Sequence, residues 1–474
     1  MIILVALSVI IYQLKKMISS LDSYQNIFFI GIAGSGMSAL AQYLAGIGKN
    51  ISGSDRFFVA GQHNETRQKL EAEGVHCFPQ DGSGITNESQ LVIASTAVEE
   101  SNVEIQKARS LEIPTILRSE LLTLISDTKR TIAVGGTSGK STTTAILFDV
   151  LEHAGLEPSI ISGAGLVRLQ EQDKIGNAFV GNGEWLVIEA DESDGSIINY
   201  HPEVGLLLNI DKDHKEIDEL KTIFQTFKQN TRTLFVVNAS NSLTAPFSQN
   251  KQHDFSSSEV DAGYKATNFK QVGFQINFKI NGVDFSMKAI GKHNLENALA
   301  ATTVANQLGV SLEHCAEAIG NYRGIYRRNQ VLGQKSGVWV IDDYAHNPVK
   351  VAAAIRSVQP VAEKVIAWFQ PHGYGPTRFL RHDFVKEISQ ALRPQDEIWM
   401  SEIFYAGGTT EKNISAADLI HDLKVVGSRA YFIENRNDLV GAIESHLSDS
   451  SAIILMGARD PSLDQFAKDF FEKL

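Results

Sequence analysis

The chain has 474 residues, of which 43% are hydrophobic, so it is long enough for roughly two to four domains with substantial cores and is not disordered as a whole. Its formal net charge of -12 argues against nonspecific binding to nucleic acid, which needs a basic face, and fits a protein that handles small ligands. The cysteines, Cys77 and Cys315, lie far apart and match no metal-ligand spacing, which indicates core packing in a reducing compartment, the cytoplasm.

The chain begins with an apolar run from Met1 to Tyr12, in the sequence MIILVALSVIIYQLKKM. The run is too short to span a bilayer comfortably, and it lacks the basic start and the cleavage site of a signal peptide. Met17 follows at once, so we expect residues 1–16 to be upstream sequence read through from a mis-assigned start. A short apolar leader that touches a membrane is the alternative. Stable membrane insertion is not expected.

Short β-type runs alternate with helix-like stretches over most of the length, which is typical of α/β proteins. The order strand, turn, helix occurs three times, in NIFFIGIAGSGMSALAQYLAGIG, TIAVGGTSGKSTTTAILFDVLEHAG and VWVIDDYAHNPVKVAAAIRSV. These openings predict three domains, at residues 17–128, 129–328 and 329–474, with junctions near 124–130 and 324–333. The segment GFQINFKINGVDFSMKAIG predicts a β-hairpin with a type I′ turn at Asn281 and Gly282.

The first opening contains Gly31, Gly34 and Gly36 in the spacing G-x-x-G-x-G. This spacing differs from the dinucleotide pattern G-x-G-x-x-G and is weak evidence for any ligand. Asp55 ends the following strand, where a carboxylate could reach a ribose hydroxyl. An NAD-dependent enzyme is the generic hypothesis for such a domain, but it does not explain the second phosphate loop.

The segment VGGTSGKSTTT, residues 134–144, predicts that second phosphate loop at a strand-to-helix junction. Val134 stands where the general pattern has its first glycine, so the loop is not a standard one. Lys140 would neutralise the terminal phosphates of a nucleotide, and the hydroxyl of Ser141 would bind Mg²⁺. A chance glycine-rich turn is the alternative, and the flanking strand and helix argue against it.

Two apolar strands further along the chain end in polar residues that suit a metal site. The first ends in Glu189, Asp191, Glu192 and Asp194, and the second in Asn209, Asp211, Asp213 and His214. Carboxylates at the ends of buried strands are where Mg²⁺ ligands belong in an α/β nucleotide site. A solvated acidic loop is the alternative for the first segment, and a structural histidine for the second.

The chain resembles the Mur ligases, the ATP-dependent amide-forming enzymes of peptidoglycan synthesis, in an ordered set of motifs: GIAGSGMSALA with SGSD, GTSGKSTTT, EADESD, NIDKDH, GKHNLENALAA, YRRNQVLG, DDYAHNP and FQPHGYGPTR. The resemblance is greatest to the alanine-adding members. It implies a three-domain α/β architecture, with a Rossmann-like N-terminal domain that binds a UDP-sugar, a central P-loop ATPase domain and a Rossmann-like C-terminal domain. The implied cofactors are ATP and Mg²⁺, and the implied substrates are UDP-N-acetylmuramate and an amino acid or peptide.

The resemblance also implies roles for the residues that match these motifs. Catalytic roles fall to Lys140, Glu189, His214, His372 and Arg378, and metal binding falls to Ser141, Glu189 and His214. ATP binding falls to Gly136, Thr137, Ser138, Gly139, Lys140, Ser141, Thr142, His293, Asn294, Asn297, Arg327, Arg328, Asp343, Tyr344 and His346. UDP-sugar binding falls to Gly31, Gly34, Ser35, Gly36, Met37, Ser38 and Asp55. A structural role is the alternative for each, above all for Asn297, which could cap or pack, and for Arg327, which could be a surface charge.

Two loops depart from the pattern of the alanine-adding members. Ser138 and Ser141 stand in place of the histidine and threonine of G-T-H-G-K-T, and serine keeps the metal-binding hydroxyl. In PHGYGPTR, Gly373 and Pro376 replace two arginines of P-H-R-[FY]-T-R-T-R, in the stretch where the carboxylate of the amino acid is expected to bind. A bidentate arginine clamp on a carboxylate is hard to replace.

Three functions therefore remain as hypotheses. The first is ligation of L-alanine to UDP-N-acetylmuramate. The second is a recycling relative that joins a whole tripeptide to the same sugar nucleotide, for which Gly373 and Gly375 would leave a roomier amine pocket. The third is a nonenzymatic nucleotide-binding protein. Retention of Lys140 and the predicted metal ligands argues against the third, because a binding module need not keep them.

Overall fold

The computed structural model describes residue 18 and residues 20–59, 61–96, 98–211, 215–405 and 411–474. The predictions for residues 1–16 and for Asp213 and His214 lie outside the described residues. The chain divides into two compact units, of which unit 1 extends to Phe269 and includes residues 278–287 and 292–323. Unit 2 comprises residues 270–277, 288–291 and 324–474, so its main part begins at Gly324, where the sequence predicts a junction. Within the described ranges no helix is both long and apolar enough to cross a membrane.

Unit 1 begins with a parallel sheet flanked by helices. Its strands are β1 (Asn26–Ile30), β2 (Asn50–Asp55), β3 (His76–Pro79), β4 (Leu91–Ala94) and β5 (Thr115–Leu117), and its helices are α1 (Ser35–Gly46), α2 (Glu65–Ala72), α3 (Val103–Ser110) and α4 (Arg118–Ser126). The strand order β3-β2-β1-β4-β5 confirms the predicted Rossmann-like arrangement. Strand β1 is central because its apolar run, including Phe28 and Phe29, is fully buried on both faces. The glycine turn therefore leaves the middle of the sheet at its carboxyl edge.

The second sheet of unit 1 carries the predicted phosphate loop. Its strands are β6 (Arg130–Gly135), β7 (Ser159–Ile161), β8 (Ala178–Phe179), β9 (Trp185–Glu189), β10 (Val204–Leu207) and β11 (Leu234–Val237), and its helices are α5 (Lys140–His153), α6 (Val167–Gln170) and α7 (Ile217–Asn230), with 3-10 turns at Ser196–Asn199 and Ala245–Phe247. The order is β11-β10-β6-β9-β7-β8, and only the pair β7 and β8 is antiparallel among the pairs whose direction the structure gives. Strand β6 lies between β9 and β10, with Val134 opposite Glu189 and Gly135 opposite Leu207. The acidic segment and the NID segment therefore flank the phosphate loop, as the sequence predicts.

A four-stranded sheet and two helices complete the middle of the chain. They are β12 (Phe255–Ser256), β13 (Tyr264–Val272), β14 (Gln275–Ile280), β15 (Val283–Met287), α8 (Lys292–Gln307) and α9 (Leu312–Gly320). The predicted hairpin is confirmed, because β14 and β15 are neighbours and the φ angles of Asn281 and Gly282 are 46° and 92°, as a type I′ turn requires. Helix α8 packs along α5. Both cysteines are free thiols, and Cys315 is buried as core packing predicts, whereas Cys77 is only partly buried.

The main part of unit 2 is a six-stranded sheet with helices on both faces. Its strands are β16 (Gln330–Lys335), β17 (Val338–Asp343), β18 (Lys364–Gln370), β19 (Glu397–Met400), β20 (Ala430–Phe432) and β21 (Ser451–Gly457). Its helices are α10 (Pro348–Val358), α11 (Tyr374–Phe379), α12 (Arg381–Ala391), α13 (Ala416–Val425), α14 (Leu439–Ile443) and α15 (Leu463–Lys473), with 3-10 turns at Gln359–Val361, Arg436–Asp438 and Glu444–His446. The order is β16-β17-β21-β18-β19-β20, with β16 antiparallel to β17. Asn347 caps α10 by accepting from the backbone N–H of Lys350 at 2.9 Å, and Pro348 begins that helix, which is why DDYAHNP turns from strand to helix.

Candidate active site

The phosphate loop connects β6 to the first turn of α5, and two of its positions need glycine. Gly136 and Gly139 have φ angles of 139° and 83°, where other residues are strained. A Cβ on Gly139 would lie 2.5 Å from Oδ1 of Asn297, and one on Gly136 would lie 3.1 Å from the Cβ of Leu208. The glycines therefore let the loop turn sharply into the N-terminus of α5, an arrangement that suits a phosphate group.

Lys140 is the cation of this loop, and its partners are acidic residues from the end of β9. Its Nζ lies 2.7 Å from Oε2 of Glu192, donates to the carbonyl oxygen of Gly136 at 2.8 Å, and lies 3.9 Å from Asp191. Burial raises the pKa of Glu192, and Lys140 opposes that rise by favouring the carboxylate form. Glu192 is thus the nearest anionic partner of Lys140, a contact that the sequence did not predict, and Glu189 stays a predicted metal ligand.

Asn209, from the end of β10, fixes the conformation of the loop. Its Oδ1 accepts from the hydroxyl of Thr137 at 2.9 Å and from the backbone N–H of Ser138 at 2.8 Å. Its Nδ2 donates to the carbonyl oxygen of Ser138 at 3.0 Å. The sequence placed Asn209 at the end of a buried strand but gave no signal for this contact, which joins segments 72 residues apart.

The donors that suit Mg²⁺ are oxygen atoms beside the loop. Glu189 lies opposite Val134 in the sheet, at the root of the loop, and Ser141 lies in the first turn of α5. Oε1 of Glu189 accepts from the Ser162 hydroxyl at 2.7 Å and from the Gly163 N–H at 2.8 Å, which fixes the carboxylate. A hydroxyl and a carboxylate are hard donors that fit Mg²⁺, which keeps several waters and needs few protein ligands. No cluster of three His, Cys, Asp or Glu residues that could hold a metal occurs among the described residues, and His214 is outside them.

A cavity of about 170 Å³ lies against the loop. Its lining is Ser138, Gly139, Leu208, Asn209, Asn238, Phe255, His293, Glu296 and Asn297. The structure thus brings His293 and Asn297 to the phosphate loop, and Asn294 accepts from Nδ2 of Asn297 at 3.3 Å. Asn297 is buried and its Oδ1 accepts from the hydroxyl of Thr143 at 3.2 Å. Asn297 therefore packs α8 onto α5 as well as lining the cavity.

The glycine turn of the first sheet is held by the end of β2. The carboxylate of Asp55 accepts from the N–H of Ala33 through Oδ2 and from the N–H of Phe57 through Oδ1, both at 3.0 Å. Gly34 and Ser35 are exposed at the turn, whereas Met37 packs into the core. Asp55 thus fixes the backbone of the turn, and Met37, in the first turn of α1, packs into the core.

Two residues outside the predicted set contact this glycine turn. Nδ2 of Asn177 donates to the Ser35 carbonyl oxygen at 2.7 Å and to the Ser38 hydroxyl at 2.9 Å. The side chain of Arg118 lies against Gly36, since a Cβ on that glycine would be 3.0 Å from its Cδ, and its Nη2 donates to Asp194 at 2.9 Å. Arg118 thus links the glycine turn to the acidic segment after β9. No local pattern in the sequence marks either residue.

In unit 2, two of the predicted nucleotide-binding residues are engaged in internal contacts. Arg327 is buried rather than a surface charge, because its Nε lies 2.9 Å from Asp342 and its Nη2 donates to the Gly457 carbonyl oxygen at 2.9 Å. The buried carboxylate of Asp343 accepts from the N–H of Asn329 at 2.7 Å and from that of Ala345 at 2.8 Å.

Two further predicted nucleotide-binding residues lie near the carboxyl end of β17 and are exposed. Arg328 and Tyr344 both have exposed side chains, and the guanidinium carbon of Arg327 lies 5.5 Å from the ring centroid of Tyr344. The exposed side chains at the end of β17 are therefore the ones that a ligand can reach.

Two histidines face each other at the same carboxyl edge. The ring centroids of His346 and His372 are 5.8 Å apart, and Nδ1 of His346 donates to the carbonyl oxygen of Tyr344 at 2.9 Å. Burial, together with smaller contributions from His346 and from the charge of Arg459, lowers the pKa of His372 to about 4. Burial also lowers the pKa of His346. Both imidazoles are therefore neutral near pH 7, and each has a nitrogen lone pair that can accept a proton or a hydrogen bond.

The arginines in and just after the PHGYGPTR loop, Arg378 and Arg381, each have a partner of their own. Gly373 has a φ of 73° and donates its N–H to the carbonyl oxygen of Phe404 at 2.8 Å. Arg378 is exposed on α11 and donates to Oδ1 of Asn413, and Arg381 donates to Asp422 at 2.7 Å. Both arginines that survive in this loop therefore have partners within unit 2.

Three models of known families match the chain in order. Residues 26–130 match the Mur ligase family catalytic domain, residues 134–305 match the Mur ligase middle domain, and residues 327–459 match the Mur ligase glutamate ligase domain. These ranges contain all of the predicted site residues.

Curated relatives extend over nearly the whole chain. The UDP-N-acetylmuramate–L-alanine ligase of Syntrophomonas wolfei is 33% identical over 452 residues, which cover 92% of this chain and 94% of the relative. That of Agrobacterium fabrum is 30% identical over 457 residues, covering 91% and 93%. Among solved structures, the UDP-N-acetylmuramate–alanine ligase of Thermotoga maritima has a TM-score of 0.76 at 28% identity and covers 94% of this chain and 98% of its own. A murein peptide ligase of Psychrobacter arcticus shares the fold, with a TM-score of 0.66 at 19% identity and coverage of 94% and 98%.

Proposed function

The chain belongs to the Mur ligase family, and on that premise we propose that it forms an amide bond between the carboxylate of UDP-N-acetylmuramate and the amine of L-alanine, in an ATP-dependent reaction of peptidoglycan precursor synthesis. The relatives named above carry this activity in their names and match more than nine tenths of the chain. We place the reaction in the cytoplasm, where ATP and UDP-linked precursors are available.

The observation that carries the proposal is the arrangement of polar groups around the phosphate loop. The register of β9 and β10 against β6 brings Glu189 and Asn209 to the two sides of the loop that holds Lys140. A glycine cradle, a lysine, a hydroxyl and a carboxylate at one strand end support binding and transfer of a nucleotide phosphate. A protein that only binds a nucleotide would not need the carboxylate at this position.

The chemistry requires activation of a carboxylate, which is a poor acyl donor. A carboxylate oxygen of UDP-N-acetylmuramate attacks the γ-phosphorus of ATP, the bond to ADP breaks, and an acyl phosphate forms. The amine nitrogen then attacks the acyl carbon, the amine loses a proton, and phosphate leaves through a tetrahedral intermediate. The protein does little covalent chemistry, so positioning and charge neutralisation account for most of the rate.

Each group at the loop has a part in this scheme. Lys140 would neutralise the γ-phosphate as negative charge moves onto ADP, and for this its ammonium must exchange Glu192 for a phosphate oxygen. Asn209 holds the loop conformation by accepting from the Ser138 N–H, so that the N-terminus of α5 can face the phosphates. Ser141 and Glu189, with His214 as the sequence suggests, would hold Mg²⁺, which supplies positive charge at the phosphate oxygens when bound. The cavity beside the loop, with His293 and Asn297, would take the nucleoside.

The two organic substrates would use the remaining predicted residues. The glycine turn with exposed Gly34 and Ser35, together with Arg118, would hold the diphosphate of the UDP-sugar, since a guanidinium beside the N-terminus of α1 suits that group. His372 and His346, both neutral, would accept a hydrogen bond or a proton from the incoming amine.

An isotope experiment tests the acyl phosphate directly. UDP-N-acetylmuramate with ¹⁸O in its carboxylate is incubated with the purified chain, ATP, Mg²⁺ and L-alanine. The proposal expects an amide whose mass is the sum of the two substrates less water, and one ¹⁸O atom in each released phosphate. Label in AMP, or an absence of amide, would contradict the proposed reaction.

A further inference from the structure

Three strands of unit 2 end side by side, and the loop after the central one lies between the two histidines. Strand β21 lies between β17 and β18, with Met456 opposite Asp343 and Gly457 opposite Gln370. His346 follows β17 and His372 follows β18, so the residues after Gly457 leave the sheet between them. Arg459 is the second residue past the end of β21.

Arg459 has an unusual backbone conformation for an arginine. Its φ angle is 68°, in the left-handed region that favours glycine and costs other residues about 1 kcal/mol or more. Residues held in such conformations cluster at active sites and at sites that grip a ligand.

The side chain of Arg459 is free to bind a ligand. It is exposed and forms no hydrogen bond or ion pair with any residue that the structure describes. Three other arginines of unit 2, Arg327, Arg381 and Arg436, each form an ion pair with an aspartate. Among the described residues Arg459 therefore has no ion-pair partner, since the carboxylate of the adjacent Asp460 is paired with Arg436.

The charge of Arg459 acts on the two facing histidines. After burial, it is one of the charges that lower the pKa of both His346 and His372. Nδ1 of His372 is itself buried and has no hydrogen-bond partner among the described residues. The carboxyl edge of this sheet thus has an unpaired guanidinium beside neutral imidazoles, which suits a ligand that carries both an anionic group and an amine.

The neighbouring loop supplies no competing arginine. Gly373 and Pro376 stand where the sequence pattern led us to expect arginines, Arg378 is bonded to Asn413, and Arg381 is paired with Asp422. Arg459, by contrast, follows the strand that pairs with β18 and has no hydrogen-bond or ion-pair partner among the described residues.

Resting on the proposed function, we propose that Arg459 binds the α-carboxylate of the incoming L-alanine and is a specificity-determining residue for a free amino acid. A guanidinium recognises a carboxylate through two parallel hydrogen bonds, which fixes the orientation of the molecule. The amine would then be directed at the lone pair on His372 or His346. A tripeptide has an amide in place of this carboxylate, so the same contact discriminates against it.

The test compares substrates in wild-type protein and in Arg459→Gly. Glycine relieves the left-handed backbone while it removes the guanidinium, so the variant is expected to fold. The KM for L-alanine should rise at least about tenfold, and kcat/KM for L-alaninamide, which lacks the carboxylate, should stay within about twofold. The KM for ATP should not change. The KM of Arg459→Lys for L-alanine should lie between those of the wild type and Arg459→Gly, since lysine keeps the charge but not the bidentate geometry.

Ser336→Gly is the matched control. Ser336 has a φ of 52° and lies in the turn before β17, at the opposite end of the same sheet. The substitution therefore relieves the same kind of backbone strain without changing the carboxyl edge where Arg459 lies. An unchanged KM for L-alanine in Arg459→Gly would overturn the inference, and so would a rise in the KM for ATP alone, which would assign Arg459 to phosphate. If the wild-type protein does not use L-alanine at all, the proposed function itself is wrong. If the wild type uses L-alanine but Arg459→Gly leaves its KM unchanged, only the role of Arg459 is wrong.

Discussion

The ammonium nitrogen of Lys140 lies 2.7 Å from Oε2 of Glu192, so the lysine of the phosphate loop has a buried anionic partner. Because phosphate must compete with this carboxylate, we expect Lys140→Ala to lower kcat at least about 100-fold, through loss of charge neutralisation at the γ-phosphate. Affinity for UDP-N-acetylmuramate, measured by calorimetry, should stay nearly unchanged. Turnover close to that of the wild type would remove the phosphate-loop assignment.

A double variant separates this catalytic effect from a folding effect. Removal of Lys140 alone leaves Glu192 buried without its cation, which is destabilising in its own right. Lys140→Ala combined with Glu192→Gln removes both charges and should recover the thermal stability without recovering turnover. Recovery of both would mean that Lys140 acts only through the fold.

Asn209 is expected to control nucleotide affinity through the loop conformation. Its Oδ1 accepts hydrogen bonds from both Thr137 and Ser138, so Asn209→Ala removes the side-chain hydrogen bonds that fix the loop. We expect the KM for ATP to rise about tenfold, in line with the loss of hydrogen bonds worth roughly 1 kcal/mol each. The KM for L-alanine serves as the internal control. Equal rises in both constants would indicate general unfolding of the site instead.

Arg118 should affect the sugar nucleotide rather than ATP. Its side chain lies against Gly36 and is held by Asp194 at 2.9 Å. We expect Arg118→Ala to raise the KM for UDP-N-acetylmuramate by about tenfold or more, since a charged hydrogen bond to a phosphate is lost. Arg109→Ala, which removes an exposed guanidinium from the same N-terminal part of the chain, is the matched control. A change in the KM for ATP alone would contradict this role and would mean that Arg118 acts on ATP instead.

Glu104 makes the stability of unit 1 dependent on pH. It is fully buried, accepts from the hydroxyl of Ser54, and burial raises its pKa to about 7. Because the folded state binds this proton more tightly than the unfolded state, its contribution to stability is present below about pH 4.5 and is lost as the pH rises through 7. Glu104→Gln should therefore raise the melting temperature at pH 8 more than at pH 5, by an amount equivalent to about 1–3 kcal/mol. A variant that melts lower than wild type at pH 8 would contradict this assignment.

The sequence predicts the segments of the site well because their signals are local. Each of the three strand–turn–helix openings depends on an apolar strand and a turn that can be read within about 25 residues. Strand β6 with Gly136 and Gly139, and Asn347 before Pro348, are recognisable from neighbouring residues alone. The parallel order of the strands then brings the acidic and NID segments to the loop.

The contacts between segments could not be predicted, because they depend on register and side-chain direction. The sequence offers Glu189, Asp191 and Glu192 as equivalent carboxylates, and only the structure shows that Glu192 pairs with Lys140 and that Glu189 is held by Ser162. The left-handed conformation of Arg459 is likewise invisible in the sequence, where the residue is one more surface arginine. Tertiary context decides both features, and it has no local pattern.

Phosphate release from ATP in the presence of UDP-N-acetylmuramate is the measurement that tests the central claim most directly. L-alanine and the tripeptide L-Ala-γ-D-Glu-meso-diaminopimelate are compared as amines, with Lys140→Ala as the inactive control. We predict phosphate release that requires both the sugar nucleotide and L-alanine, with the tripeptide a poor substitute. Release with the tripeptide but not with L-alanine, or ATP binding without release for either amine, would contradict it.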